Sequence, residues 1–369
     1  MTPKALYRQA VERGELQADP AQASLIAQLD ALYEQLAESS RLDSPRSGLL
    51  HGFLRMFSKA QSTEHVHGLY IWGSVGRGKT LLVDLFFDAL PFENKLRMHF
   101  HDFMRHVHAE LKTLGSRRDP LLAVAERLHA RTQVLCFDEF HVSDIADAML
   151  LGRLFEALFD KGTVLVATSN SCPDELYKEG LQRERFLPAI KLIELNTHVV
   201  HLDSATDYRL RALQRESVYH SPLGDDSRAA MSRCYAELAP DAQACADTVR
   251  VLGREVAVRA MAHGCAWFDF DVLCRGTRSA SDYLELAQIF HTLLLSDVPV
   301  LHDRDNDAAL RFMHLVDTLY DRNVNLVVEA QAQPDALYEG LRLRERFQRT
   351  RSRLEEMQSR DYLARAHLP

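Results

Sequence analysis

The sequence predicts an α/β fold: a mostly parallel sheet over residues 66–203, a helical lead-in before it and a further α/β region after it. Three observations predict this. Between 66 and 203 short apolar runs alternate with amphipathic stretches, the pattern of strands joined by helical crossovers. The runs scarcely alternate in polarity, as expected of strands covered on both faces. A glycine-rich turn separates the first run from an apolar helix, the usual strand–loop–helix opening of such sheets.

Taken in order, residues 1–65 carry no strand signal. Leu25, Leu29, Leu32, Tyr33 and Leu36 recur at helical spacing, so the lead-in is expected to be helical. Strands are expected at 66–72, 95–101, 133–139, 163–169 and 197–203, within a core spanning 66–203. From 204 to 340 a lid-like α/β subdomain is expected. It begins with a helical or loose stretch to about 247, then a hairpin turning at Gly253-Arg254. Helix 281–294, strand 297–302, helix 305–321 and strand 324–330 follow. Segments 154–169 and 315–330 match at several Leu, Asp and Val positions. Either the unit is copied or helices feeding buried strands converge on one pattern, and convergence is the reading favoured. The tail 341–369 is Arg-rich and helical, with Leu343, Phe347, Leu354 and Met357 on one stripe.

Composition narrows the function classes. With 46% hydrophobic and 26% charged residues the chain is ordinary globular material. A net charge of −8 argues against a chain built to hold polyanions, so no nucleic-acid partner is expected. No apolar run approaches the roughly 18–20 residues that span a bilayer, so membrane association is expected only indirectly. The N-terminus reads neither as a secretory signal nor as a transit peptide. Six cysteines form no CxxC pair and read as reduced thiols, so the expected location is cytoplasmic.

The chemistry begins at Gly73, Ser74, Val75, Gly76, Arg77, Gly78, Lys79 and Thr80, which fit G-x-x-x-x-G-K-[ST] between a strand and a helix. Such a turn offers successive backbone N–H groups and a positive helix end to phosphate. Lys79 is expected to reach the β/γ-phosphates of ATP, and the Thr80 hydroxyl to ligate Mg²⁺. Residues 134–139 form an apolar strand ending in Asp138 and Glu139. Asp138 is placed to hold Mg²⁺ through its water shell, and Glu139 to activate the attacking water. Loop and acid strand together predict a P-loop NTPase of the AAA+ type with a RecA-like parallel sheet. There Asn170, at the end of the next strand, takes the sensor position. Arg183 is the expected arginine finger, reaching a neighbouring subunit's nucleotide; Arg185 is a weaker second candidate.

Two other clusters are read as structural. His99, His101, His106 and His108 do not converge by local spacing, and HExxH is absent from the chain, so packing is favoured over metal ligation. The tail arginines Arg346, Arg349, Arg351, Arg353 and Arg360 are read as solvated residues outside a docked helix.

At these motifs the sequence resembles the ZapE-type cell-division AAA+ ATPases, a family shared with the mitochondrial lactation-elevated-type ATPases. The matching segments include GLYIWGSVGRGKTLLVDLFFDALP, KLRMHFHDFMRHVH, VLCFDEFHVSDIADAMLL, GLQRERFLPAIKLI and RTRSRLEEMQSRDYL, spread over residues 68–363. The resemblance implies an ATPase acting on other proteins. Its bacterial members lower the stability of FtsZ polymers with ATP; its mitochondrial members act in inner-membrane protein quality control. FtsZ as client rests on the resemblance alone. A homo-oligomeric ring, up to a hexamer, with nucleotide at subunit boundaries is implied. For the second sensor arginine, Arg209 and Arg311 both remain candidates.

Overall fold

The computed structural model describes residues 1–369 apart from 14–15, 43–65, 116–118, 204–207, 216, 240–247, 263 and 369. The end of the expected lead-in, the loose stretch near 247 and Cys245 therefore lie outside the described residues. The chain divides into two compact units, Met1–Ala205 and Thr206–Pro369.

In the first unit, helices α1 (Pro3–Glu12) and α2 (Pro20–Leu42) each begin on proline. Its fixed φ and missing N–H suit the first helical turn. The Asp19 carboxylate accepts from the N–H groups of Ala21 at 2.8 Å and Gln22 at 3.1 Å, capping α2. The sheet has five parallel strands in the order β2-β3-β4-β1-β5. They are β1 (Gly68–Trp72), β2 (Lys95–His99), β3 (Val134–Asp138), β4 (Val164–Ser169) and β5 (Thr197–His201). Helices α3 (Lys79–Ala89), α4 (Phe100–Leu114), α5 (Pro120–His129), α6 (Ile145–Phe159) and α7 (Leu187–Asn196) connect them. Alternate strand residues feed two cores. Leu69, Ile71, Val134 and Cys136 pack with α1, α2 and α3 on one face. Tyr70, Leu135, Phe137 and Leu165 pack with α4 to α7 on the other. That two-sided burial explains the unalternating apolar runs. The strand expected to reach residue 101 stops at His99, because Phe100 already opens α4 and is buried with Phe103 and Met104.

The second unit holds helices α8 (Tyr208–Arg215) and α9 (Asp225–Leu238) and a five-stranded sheet in the order β6-β12-β11-β10-β9. Its strands are β6 (Tyr219–His220), β9 (Ala260–Ala262), β10 (Cys265–Asp269), β11 (Thr292–Val298) and β12 (Asn325–Ala330). All neighbours pair in parallel except β9 with β10. The hairpin β7 (Thr248–Val251) and β8 (Arg254–Ala257) turns on Leu252 and Gly253, one residue earlier than expected, both at positive φ.

Helix α10 (Ala280–Ile289) ends five residues short of the expected 294, and β11 begins at Thr292. The run Thr292–Val298 is apolar enough to extend a helix pattern, but Phe290 turns extended and the chain enters the sheet. Helices α11 (Asn306–Asp321), α12 (Arg344–Glu356) and α13 (Arg360–Leu363) complete the unit. Leu343, Phe347, Leu354 and Met357 are all buried in its main core. Arg353 departs from the expected solvated arginines. It is 11% exposed, donates to Asp317 at 2.6 Å and Asp321 at 2.9 Å, and lies over the Tyr320 ring. Among the described residues no helix is long and apolar enough to cross a membrane.

Candidate nucleotide site

The site is built where β1 gives way to α3. Gly73, Gly76 and Gly78 all carry positive φ, at 153°, 79° and 86°. At Gly73 a Cβ would lie 2.5 Å from the Leu202 carbonyl oxygen, and at Gly78 2.6 Å from the Gln22 amide nitrogen. Only glycine fits both backbone and space there. The loop closes over its own lysine. Lys79 is 8% exposed, and its Nζ donates to the carbonyls of Gly73 at 2.6 Å and Ser74 at 2.9 Å and to Asn170 Oδ1 at 3.1 Å.

The acid strand lies one strand further along the sheet, with β4 between it and β1. Asp138 ends β3 and is 7% exposed. Arg97, on β2, donates to both its oxygens, Nε to Oδ2 at 2.8 Å and Nη2 to Oδ1 at 3.1 Å. The same guanidinium bonds Asp84 on α3 and reaches the Thr80 carbonyl at 3.4 Å. Arg97 thus links the Thr80 carbonyl to the Asp138 carboxylate. Burial works against the Arg97 charge, but Asp138 and then Asp84 outweigh it and push its pKa up. Glu139 follows at φ 53°, its N–H held by the Thr168 hydroxyl at 3.2 Å. Burial pushes its carboxyl from 4.5 up to about 7; His99 opposes, Asp138 adds and Lys79 opposes.

Residues 1–366 match the AFG1-like ATPase family. The chain belongs to that family. It is 45% identical over 370 residues to the cell division protein ZapE of Escherichia coli K12, covering 100% of this chain and 99% of that protein. It is 37% identical over 341 residues to lactation elevated protein 1 homolog B of Danio rerio, covering 80% of this chain and 68% of that protein. Among solved structures, domain III of the Thermotoga maritima initiation protein DnaA is similar over 52% of this chain and 77% of that one. That similarity has 17% identity and a TM-score of 0.32.

As an AFG1-like ATPase the chain binds nucleotide, and the parallel sheet agrees with the expected P-loop fold. The structure brings Lys79 and Asn170 together directly, and Thr80 and Asp138 through Arg97. Arg183 stands apart: its guanidinium bonds the Asp174 carbonyl, and its buried Nε has no hydrogen-bond partner among the described residues. Arg185 is exposed. The Arg209 side chain lies outside the described residues, while Arg311 donates to the Cys274 carbonyl at 3.2 Å. His108 bonds Asp147 at 2.6 Å.

Three contributors escaped sequence reading. Arg97 carried a weak signal, a charge between the apolar Leu96 and Met98. Thr168 and Gln22 carried none. The Gln22 amide comes from α2 and donates to the Arg77 carbonyl at 3.0 Å.

Proposed function

We propose that the chain is a Mg²⁺-dependent ATPase that remodels a protein assembly of bacterial cell division and lowers the stability of FtsZ polymers. The observation that carries the division reading is the full-length likeness to a cell division protein at 45% identity. The hydrolytic roles are supported by the hydrogen bonds among Lys79, Asn170, Arg97 and Asp138. In this reading the loop 73–80 cradles the phosphates and Lys79 exchanges carbonyl oxygens for phosphate oxygens. Thr80 and, through its water shell, Asp138 would hold Mg²⁺, which would supply positive charge beside the transferring phosphoryl group. Glu139 takes a proton from the attacking water, a task suited to a carboxyl whose pKa lies near neutrality. Asn170 touches both Lys79 and the terminal phosphate. Arg183 serves the site of a neighbouring copy in a homo-oligomer, and the working location is cytoplasmic.

Light scattering of FtsZ polymers with the purified protein, ATP and Mg²⁺ tests this. Wild-type protein should lower the polymer signal and Lys79→Ala protein should not. Unchanged polymers beside active hydrolysis would sink the FtsZ reading and favour inner-membrane quality control.

A further inference from the structure

The two sheets share one plan. The order β2-β3-β4-β1 in the first unit has its counterpart in β10-β11-β12-β6 of the second, every neighbour parallel. The equivalence holds residue by residue. Tyr70 on β1 pairs with Ala167 and donates its hydroxyl to the Ser171 carbonyl at 2.9 Å. Tyr219 on β6 pairs with Val328 and donates to the Ala332 carbonyl at 2.7 Å, the same number of residues past its partner. At the end of the second strand of each set stands a non-glycine residue at positive φ, Glu139 just past β3 at 53° and Asp297 within the last residues of β11 at 60°. Asp144 and Asp305 occupy the N-cap positions of α6 and α11.

Beyond β4 and β12 the sequences run in register, PDELYKEGLQRERF (173–186) against PDALYEGLRLRERF (334–347), with eight of fourteen residues identical. Both stretches fold into one corner. Tyr177 lies on Phe186 with ring centroids 5.7 Å apart, and Tyr338 on Phe347 at 5.2 Å. In both, a glycine leaves no room for a Cβ beside the tyrosine, Gly180 against the Tyr177 ring and Gly340 against the Tyr338 hydroxyl. Convergence of amphipathic helices on buried strands does not reproduce a loop, a corner and a hydroxyl-to-carbonyl bond.

What differs is the phosphate chemistry. Six residues, 73–78, join β1 to α3, but four, 221–224, join β6 to α9. They supply no lysine, and α9 opens on Asp225 and Asp226. The position of Asp138 is taken by Ser296, whose hydroxyl accepts from Trp267 at 2.9 Å, and Trp267 stands where Arg97 stands. The position of Thr168 is taken by Glu329, fully buried. Its Oε1 accepts from Ser227 in the first turn of α9 at 2.9 Å, and its Oε2 has no hydrogen-bond partner among the described residues.

We infer that the second unit is a copy of the first that takes no nucleotide: its loop is shortened to 221–224, and the room before α9 is filled by the Glu329 side chain. Asp225, Asp226 and Glu329 bring three acids to the start of α9, with Arg228 pairing Asp225 at 3.2 Å, and the surplus of negative charge there disfavours a polyphosphate. The chain therefore binds one nucleotide, at Lys79. This rests on the nucleotide reading of residues 73–80.

The test is equilibrium dialysis of the full chain with a labelled non-hydrolysable ATP analogue and Mg²⁺, combined with hydrogen exchange to locate it. One nucleotide per wild-type chain, lost in Lys79→Ala, with slowed exchange at 68–80 and none at 219–229, is the expected result. Two per chain overturns the inference. So does a site that survives in Lys79→Ala protein and slows exchange at 219–229. Binding that survives there with slowing only at 68–80 removes Lys79 from its role but supports an empty second unit. Wild-type protein that binds none sinks the reading of 73–80 and still agrees with an empty copy.

Discussion

Arg97 grips Asp138 through both carboxylate oxygens, at 2.8 and 3.1 Å, while the same guanidinium reaches Asp84 and the Thr80 carbonyl. One side chain on an edge strand thus fixes the acid strand to the helix that follows the phosphate loop. Removing it strands two acids in a largely dry setting. Arg97→Met should lower stability by about 2–4 kcal/mol, as loss of one partner of a buried pair does. Urea unfolding would measure it, and an unchanged midpoint would show that the contacts are idle.

Glu139→Gln separates two roles by pH. In the unfolded chain the carboxyl ionises near 4.5, in the fold near 7. The fold resists its ionisation, so this group costs stability as pH rises from about 4.5 to 7, and the cost stays above that. Glu139 is half-buried, so the cost is about 1–2 kcal/mol after solvent screening. Glu139→Gln should therefore melt higher than wild type at pH 8 and equal to it at pH 4. The same variant should bind ATP and scarcely turn it over. Near-normal hydrolysis would remove Glu139 from water activation.

Arg183→Ala should keep nucleotide affinity and lose roughly 10³–10⁵ in turnover, the worth of an arginine finger. Mixing it with Lys79→Ala protein should restore activity, since one supplies an intact pocket and the other the guanidinium. Silence from a mixture shown by light scattering to be assembled would sink action between subunits.

Phe347→Ala should destabilise the protein by about 3–5 kcal/mol. The ring is 4% exposed and packs between Phe312 and Tyr338. Thermal melting would detect it, and a loss under 1 kcal/mol would mean that the corner can collapse around the gap.

Much of the first unit was legible because its signals are local. The Gly73–Thr80 spacing and the acids closing β3 each fall within one strand–loop span. Arg97 was harder, since its meaning depends on β2 pairing beside β3, and no local pattern states strand order. Gln22 reaches the loop from 55 residues away and left no trace in sequence. The boundary between α10 and β11 was misplaced because Leu293, Leu294 and Leu295 suit a buried helix as well as a buried strand. The copied corner was written in the sequence too. One residue gained before Arg344 and one lost after Tyr338 set the two glycine–leucine pairs out of step and hid the match.

The hydrogen bond from Gln22 to the Arg77 carbonyl ties the first turn of α2 to the nucleotide loop. The helix runs from Pro20 to Leu42, roughly 33 Å at 1.5 Å per residue, and the loop holds it near one end. Any displacement of Arg77 as phosphates arrive or leave would pull on that end. Leu25, Leu29, Leu32 and Leu36 are buried with Leu69 and Ile71 along the helix, so that pull is shared over its whole packed face.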